Sequence, residues 1–135
     1  MAIERINPDG LFKLDAFSQI VTAPAGGRTA FIAGQAAFDA EFNLVGAGDL
    51  HAQTVQAFKN LRTAVTAIGG SVNDIVSCNM YIVGIDSEKV DSFGRAMAEA
   101  LNGDPFPPNA STMIGVQGLA MDGMLVEISA VAVIA

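Results

Sequence analysis

Glu127 interrupts the long apolar run near the C-terminal end of the chain, residues 125–134 (L-V-E-I-S-A-V-A-V-I). In a β-strand, successive side chains point to opposite faces of the sheet. Val126 and every second residue after it then form an apolar face, and Glu127 shares the other face with Ser129. A carboxylate on a mostly apolar face is costly unless water, a partner or a pocket surrounds it. Two interpretations are open: a solvated glutamate at a strand margin, or a pocket carboxylate available for acid/base work on a small molecule.

Few other residues could do chemistry. His51 is the single histidine and lies in the first turn of a predicted helix, so we expect a solvated position and predict no metal site. Cys78 lies among apolar residues and is interpreted as a core thiol with no base nearby to activate it. Neither glycine pair, residues 26–27 or 69–70, has the spacing or the lysine of a phosphate-binding loop. What remains beside Glu127 is a short polar run, Ser111-Thr112, and the pair Gly34-Gln35 at the end of a predicted strand.

The composition predicts one soluble globular domain spanning residues 1–135. Hydrophobic residues make up 51% of the chain and charged residues only 16%, which suggests apolar surface buried between subunits. The net charge of −7 offers no electrostatic footprint for a nucleic-acid backbone. A lone cysteine does not imply an oxidising compartment, and neither a signal peptide nor a membrane span is predicted. We therefore expect a cytoplasmic protein without a cofactor.

The pattern predicts the element order ββαβαββ. Strands are predicted at 16–23 and 29–35, joined as a hairpin, and at 74–83, 111–116 and 125–134. The first helix runs from Asp49 to Gly69-Gly70. The second helix is capped by Asp86 or Ser87 and is stopped by Pro105, Pro107 and Pro108. Such an order favours an α+β sandwich with both helices on one face of a mixed sheet. The other face has no cover within the chain, which argues for oligomerisation through the sheet.

Helical and strand spacing predict the core residues of the two helices and of the middle strand. They are Leu50, Val55, Phe58, Leu61, Val65 and Ile68 in the first helix, Val90, Phe93, Met97, Ala100 and Leu101 in the second, and Val76, Cys78, Met80 and Ile82 in the strand.

Five segments together resemble one family of proteins. Residues 15–19 (D-A-F-S-Q) are similar to a G-P-Y-S-Q motif, and residues 32–35 (I-A-G-Q) to a strand-ending S-G-Q. Residues 53–61 match Q-T-x-Q-x-x-x-N-L, and residues 109–119 are similar to P-A-R-[ST]-x-V-x-V-x-x-L. Residues 126–128 match a closing V-E-I. In this order and at this length, the chain resembles the Rid family of reactive intermediate deaminases, also called YjgF-like or L-PSP proteins.

The resemblance implies a chorismate-mutase-like α+β sandwich assembled as a homotrimer, with pockets between subunits. It also implies hydrolysis of enamines and imines to ketones or keto acids and ammonia. In archetypal members an arginine binds the substrate carboxylate, and a glutamate positions the attacking water. Glu127 matches that glutamate and is the expected catalytic residue. The substrate-binding positions implied by the resemblance are Phe17, Ala33, Gly34, Ser111, Thr112 and Met113.

The chain departs from the family pattern at three of these positions. Ser111 stands at the arginine position, Phe17 at the tyrosine position and Ala33 at the position of the serine before Gly-Gln. A serine hydroxyl cannot replace a planar, permanently charged guanidinium that binds a carboxylate with two parallel hydrogen bonds. We therefore expect poor activity on carboxylate-bearing imines and a more apolar pocket.

Two functions stay open on the sequence, with a third disfavoured. The first is a divergent deaminase-type hydrolase, and the second is a non-catalytic trimer that binds a small molecule. Nucleic-acid cleavage is disfavoured because the chain is acidic and has no basic stripe.

Overall fold

The computed structural model of the chain describes residues 3–13, 15, 17–104 and 106–135. Its elements are β1 (Glu4–Ile6), β2 (Ile20–Thr22), β3 (Arg28–Gln35), α1 (Leu50–Ala67), a 3-10 turn (Val72–Asp74), β4 (Ile75–Val83), α2 (Ser87–Ala100), β5 (Ala110–Val116) and β6 (Val126–Ile134). The predicted order is confirmed, with β1 as an additional strand. Ala16, the first residue of a predicted strand, and Pro105, one of the predicted helix stops, lie outside the described residues.

Strand β6 lies inside a four-stranded sheet of order β3-β6-β4-β5. It runs antiparallel to both of its neighbours, whereas β4 and β5 are parallel and are joined through α2. The predicted alternation of β6 is confirmed, because Val126 and every second residue after it are buried. The result is the expected α+β architecture with a mixed sheet.

Both helices pack on the same face of this sheet. Phe58 of α1 and Phe93 of α2 are buried and meet edge to face, with ring centroids 5.3 Å apart. His51, expected in solvent, contacts the carboxylate of Glu99 and links the two helices. Val90 was expected in the core but is 38% exposed, because it lies where α2 leaves a cavity against the sheet. No helix among the described residues has the length and apolarity to span a bilayer.

The predicted hairpin of residues 16–35 is wrong. Strand β2 pairs antiparallel with β1 in a separate two-stranded sheet, and β3 pairs with β6. The apolar central strand β6 needs a neighbour on each side, and β3 supplies one through pairs such as Ile32 with Ala130. Local turn signals cannot reveal such a distant partner.

One predicted core residue of β4 is also wrong. The pairing of β4 with β6 shifts between Ile75 and Ser77, so that an irregularity falls at Val76. Ile75 is therefore buried in place of Val76, which is half-buried. From Cys78 onward the predicted alternation is confirmed.

The predicted starts of the helices are confirmed, whereas the end of α2 differs. The Asp49 carboxylate accepts from the backbone N–H of Ala52, and Asp86 caps α2 in the same way by accepting from Lys89. Helix α2 ends before the prolines, at Ala100, and the chain turns away at Asn102 and Gly103, whose φ angles are +56° and +82°. The Gly103 N–H donates to the carbonyl of Ala98 at 2.8 Å and closes the last turn.

Two amide side chains of α1 fasten the neighbouring loops to the helix. Gln53 is fully buried; its Nε2 donates to the carbonyls of Gly46 and Gly123, and its Oε1 accepts from the N–H of Leu125. Asn60 donates from Nδ2 to two carbonyls of the segment that follows β3. Residues 53–61, which carry the Q-T-V-Q and N-L motifs, therefore hold the loops next to α1 in position.

We expect Gln53→Leu to lower the free energy of unfolding by about 2–3 kcal/mol, because it leaves three backbone groups without their partner. Chemical denaturation would measure the change. The matched control is Gln117→Leu at an exposed loop position, which should change stability by less than about 0.5 kcal/mol. Equal effects of both substitutions would contradict the role assigned to Gln53.

Candidate functional site

Glu127 lies at the start of β6, on the sheet face opposite the helices. It is half-buried, it pairs across the sheet with Tyr81 of β4, and it lines an open cavity of about 600 Å³. We call this space the Glu127 cavity; other residues that line it include Gly34, Phe38, Phe42, Asn60 and Met121. The side chain thus has a pocket around it, as one of the two sequence interpretations required.

Gly34 allows the Glu127 carboxyl group to lie directly over the backbone of β3. The pairing of β3 with β6 shifts between Ile32 and Gln35, so β3 holds one extra residue there. A Cβ added at Gly34 would stand 2.6 Å from Cδ of Glu127 and closer still to Oε1. Any larger residue would displace the carboxylate, which is a physical reason for the glycine.

The loop after β3 forms the outer wall of the Glu127 cavity. Phe42 has a φ of +66°, a left-handed conformation that is uncommon for a large residue, and its ring lies 4.8 Å from that of Phe38. One carboxylate oxygen of Asp39 accepts from the N–H groups of Glu41 and Asn43, on either side of Phe42. Hydrogen bonding from the Asn43 backbone holds the pKa of Asp39 below its usual range.

A second cavity, of about 310 Å³, lies between α2 and the sheet; we call it the α2 cavity. Strand β5 pairs Ser111 with Cys78 and Met113 with Met80, which places both β5 side chains on the helix side of the sheet. The residues that line the cavity include Phe17, Phe93, Met97, Phe106, Ser111 and Met113. Phe17 is held near β5 because the next residue donates its N–H to the carbonyl of Asn109.

The predicted site residues thus fall into two groups. Gly34 and Glu127 meet in the Glu127 cavity, and Phe17, Ser111 and Met113 meet in the α2 cavity. The sheet separates the two groups within one protomer. The two remaining predicted positions, Ala33 and Thr112, are exposed.

Cys78 is a core thiol, as predicted from its neighbours. It is 2% exposed, and burial raises its pKa to about 12, which a hydrogen bond from the Asn109 side chain offsets only in part. At neutral pH the sulfur therefore carries its proton and is a poor nucleophile.

Sequence reasoning missed several residues that shape the two cavities. Phe38 and Phe42 follow β3 in a loop without any motif, and for Asn109 the sequence shows only that it begins the motif around Ser111. The Asn60 position was visible as the N-L of the helix motif, but nothing local indicated that its amide reaches the loop after β3.

The four-stranded mixed sheet is covered on one face by two helices and carries a glutamate over a strand glycine on the other, which makes the fold an α+β sandwich. The chain belongs to the Endoribonuclease L-PSP family, whose model matches residues 11–134.

Individual relatives agree with this assignment. The crystal structure of YyfB, a Rid family protein from Yersinia pestis, matches with a TM-score of 0.86 and 34% identity, over 99% of this chain and 100% of that one. A RutC family protein of Pyrococcus horikoshii is 31% identical over 86% of this chain and 85% of its own. The 2-iminobutanoate/2-iminopropanoate deaminase of Dermatophagoides farinae is 29% identical over 80% of each chain.

The raised pKa of Cys78 predicts a specific loss of stability at alkaline pH. The unfolded chain ionises this thiol near pH 9, whereas the folded chain holds the proton until about pH 12. The free energy that the protonated Cys78 thiol contributes to folding is therefore fully present below pH 9. It is lost as the pH rises from about 9 toward 12, by up to about 1.4 kcal/mol per pH unit. Urea unfolding at pH 8, 9 and 10 should show that the free energy of unfolding falls less steeply with pH for Cys78→Ala than for the unchanged protein. Parallel pH profiles would contradict the assignment.

Proposed function

We propose that this protein is a divergent deaminase-type hydrolase that acts on C=N bonds of small molecules. The observation that carries the proposal is the Glu127 carboxylate over Gly34 in a cavity large enough for a small substrate. The similarity to a 2-iminobutanoate/2-iminopropanoate deaminase supports the reaction class. The proposal includes a cytoplasmic location, consistent with the single buried thiol.

In the proposed reaction Glu127 orients a water molecule and accepts one of its protons. The water oxygen forms a bond to the imine carbon while the C=N π electrons move to nitrogen, which takes up the proton held by Glu127. Glu127 then accepts the hydroxyl proton of the resulting carbinolamine and passes it to nitrogen as the C–N bond breaks, so that a carbonyl compound and ammonia leave and the carboxylate is restored. An enamine enters the same sequence after protonation at carbon. The net change is the addition of one water and the release of one ammonia.

We further propose that the site is completed between subunits of a homotrimer. Within one protomer the sheet keeps Glu127 apart from Ser111 and Met113, so a substrate that touches both groups needs a second copy. The sheet face opposite the helices carries Phe31, which is 81% exposed and pairs with Val131 across β3 and β6. An apolar face of this kind is the natural contact between copies.

The substrate proposed for this site differs from that of archetypal family members. Ser111 offers a hydroxyl where the resemblance implies a guanidinium, so a substrate carboxylate lacks its bidentate partner there. The family's description names an endoribonuclease, yet the net charge of −7 disfavours a polyanionic backbone as substrate.

A non-catalytic small-molecule-binding trimer is the second candidate. The observation that favours it is the α2 cavity, which is lined mainly by Phe and Met side chains and could hold an apolar ligand without any reaction.

Glu127→Gln tests the catalytic proposal. The substitution keeps the shape of the side chain but removes the base, so imine hydrolysis should fall by about 10²–10⁴-fold while the protein stays folded. Imines without a carboxylate, produced in situ by amine oxidases from a panel of primary amines, serve as substrates beside the 2-imino acids made by amino-acid oxidases, and the rate of ammonia release is measured. Glu41→Gln is the matched control, because Glu41 is an exposed residue in the loop beside the same cavity. Hydrolysis at the full rate by Glu127→Gln would contradict the catalytic role of Glu127 and favour the non-catalytic small-molecule-binding trimer.

Light scattering tests the assembly. The unchanged protein should have the mass of three protomers at micromolar concentration, and Phe31→Asp should dissociate it, because the charge would be buried in the contact. Leu11→Asp is the control, since Leu11 is also exposed and apolar but lies outside the four-stranded sheet. A stable monomer of the unchanged protein would contradict the trimer and the shared site.

A further inference from the structure

The α2 cavity contains an unpaired hydrogen-bond acceptor. Asn109 is 2% exposed and lines the cavity, and its Oδ1 is buried without a hydrogen-bond partner among the described residues. A buried amide oxygen without a partner is destabilising by about 1–3 kcal/mol, and native structures rarely leave one so.

The orientation of this amide follows from its other end. Nδ2 of Asn109 donates to the carbonyl of Pro107 at 3.2 Å. Turning the amide over would set two carbonyl oxygens against each other. The acceptor is therefore Oδ1, and what it lacks is a donor.

The remainder of the cavity is uncharged. Among its described lining residues none carries a charge, since Cys78 is protonated at neutral pH. Besides Asn109, the polar groups on the lining are the Ser111 hydroxyl, which can donate or accept, and the Cys78 thiol, which is only a weak donor.

We propose that the α2 cavity binds a small, neutral, largely apolar molecule through an N–H or O–H group that donates to Oδ1 of Asn109. This rests on the proposed function in so far as the molecule is the substrate or part of it. The Ser111 hydroxyl, which can donate, suits a carbonyl oxygen beside that donor, so a primary carboxamide is the chemical group that fits the pair. A carboxylate does not fit, because it would be buried without a cation and would face another acceptor.

Gly94 of α2 provides a way to close the cavity without disturbing the fold. It lines the cavity and is exposed, and a Cβ added there would meet no atom within 4 Å. Gly94→Leu should therefore obstruct the mouth, while Gly94→Ala adds little bulk. Both substitutions should support α2, because glycine is a poor helix residue.

Binding of three probes of nearly equal size tests the proposal by calorimetry or ligand-observed NMR. Phenylacetamide offers donors, methyl phenylacetate offers none, and phenylacetate carries a charge. Phenylacetamide should bind about tenfold or more tightly than the other two, the equivalent of one hydrogen bond. Asn109→Leu should remove its advantage over the ester, Gly94→Leu should weaken both neutral probes, and Gly94→Ala should bind like the unchanged protein.

The result separates this inference from the proposed reaction. The binding measurement needs no turnover, so it is made separately from the rate of imine hydrolysis. Tighter binding of phenylacetate, no detectable binding of phenylacetamide, or binding insensitive to Gly94→Leu would each overturn the inference. None of these outcomes would bear on whether Glu127 supports imine hydrolysis.

Discussion

The buried amide of Gln53 is the interaction on which the geometry of the Glu127 cavity depends. One side chain on α1 holds the loop that leads into α1, through Gly46, and the turn that leads into β6, through Gly123 and Leu125. Strand β6 begins directly after the hydrogen bond from Leu125 to Gln53, so Gln53 sets where the alternation of the strand starts. A shift of one residue would turn Glu127 toward the core and bring an apolar side chain to the cavity.

The central place of β6 explains how one strand carries both core residues and the Glu127 carboxylate. Its inward residues pack beneath both helices, whereas on its outward face Glu127, Ser129 and Val131 are half-buried and Val133 is buried. Glu127 lies at the end of the strand where the extra residue in β3 opens the ladder and presents Gly34. The carboxylate therefore gains a partly buried position without interrupting the core.

Local patterns predicted what depends on neighbours in the sequence. The caps at Asp49 and Asp86 and the alternation of β6 follow from side-chain hydrogen bonding and strand geometry, and the structure confirms them. The pairing of β3 with β6 and the irregularity at Val76 depend on distant strands, which no local signal encodes. The resemblance identified the family, but the position of the site residues relative to the sheet needed the register of β5.

That register has a chemical consequence for the whole site. The side chain of Ser111 lies on the helix side of the sheet, in the cavity that Asn109 also lines, and the Glu127 carboxylate lies on the other side, in the cavity that Asp39 also lines. The Asp39 carboxylate accepts hydrogen bonds from backbone N–H groups of its own loop, and in this way it stabilises the wall of the cavity. An arrangement of two carboxylates on one side and neutral acceptors on the other attracts donors and repels anions. The charges of the protomer thus disfavour an anion on the Glu127 side of the sheet, and the neutral lining of the α2 cavity offers no cation to balance one on the helix side.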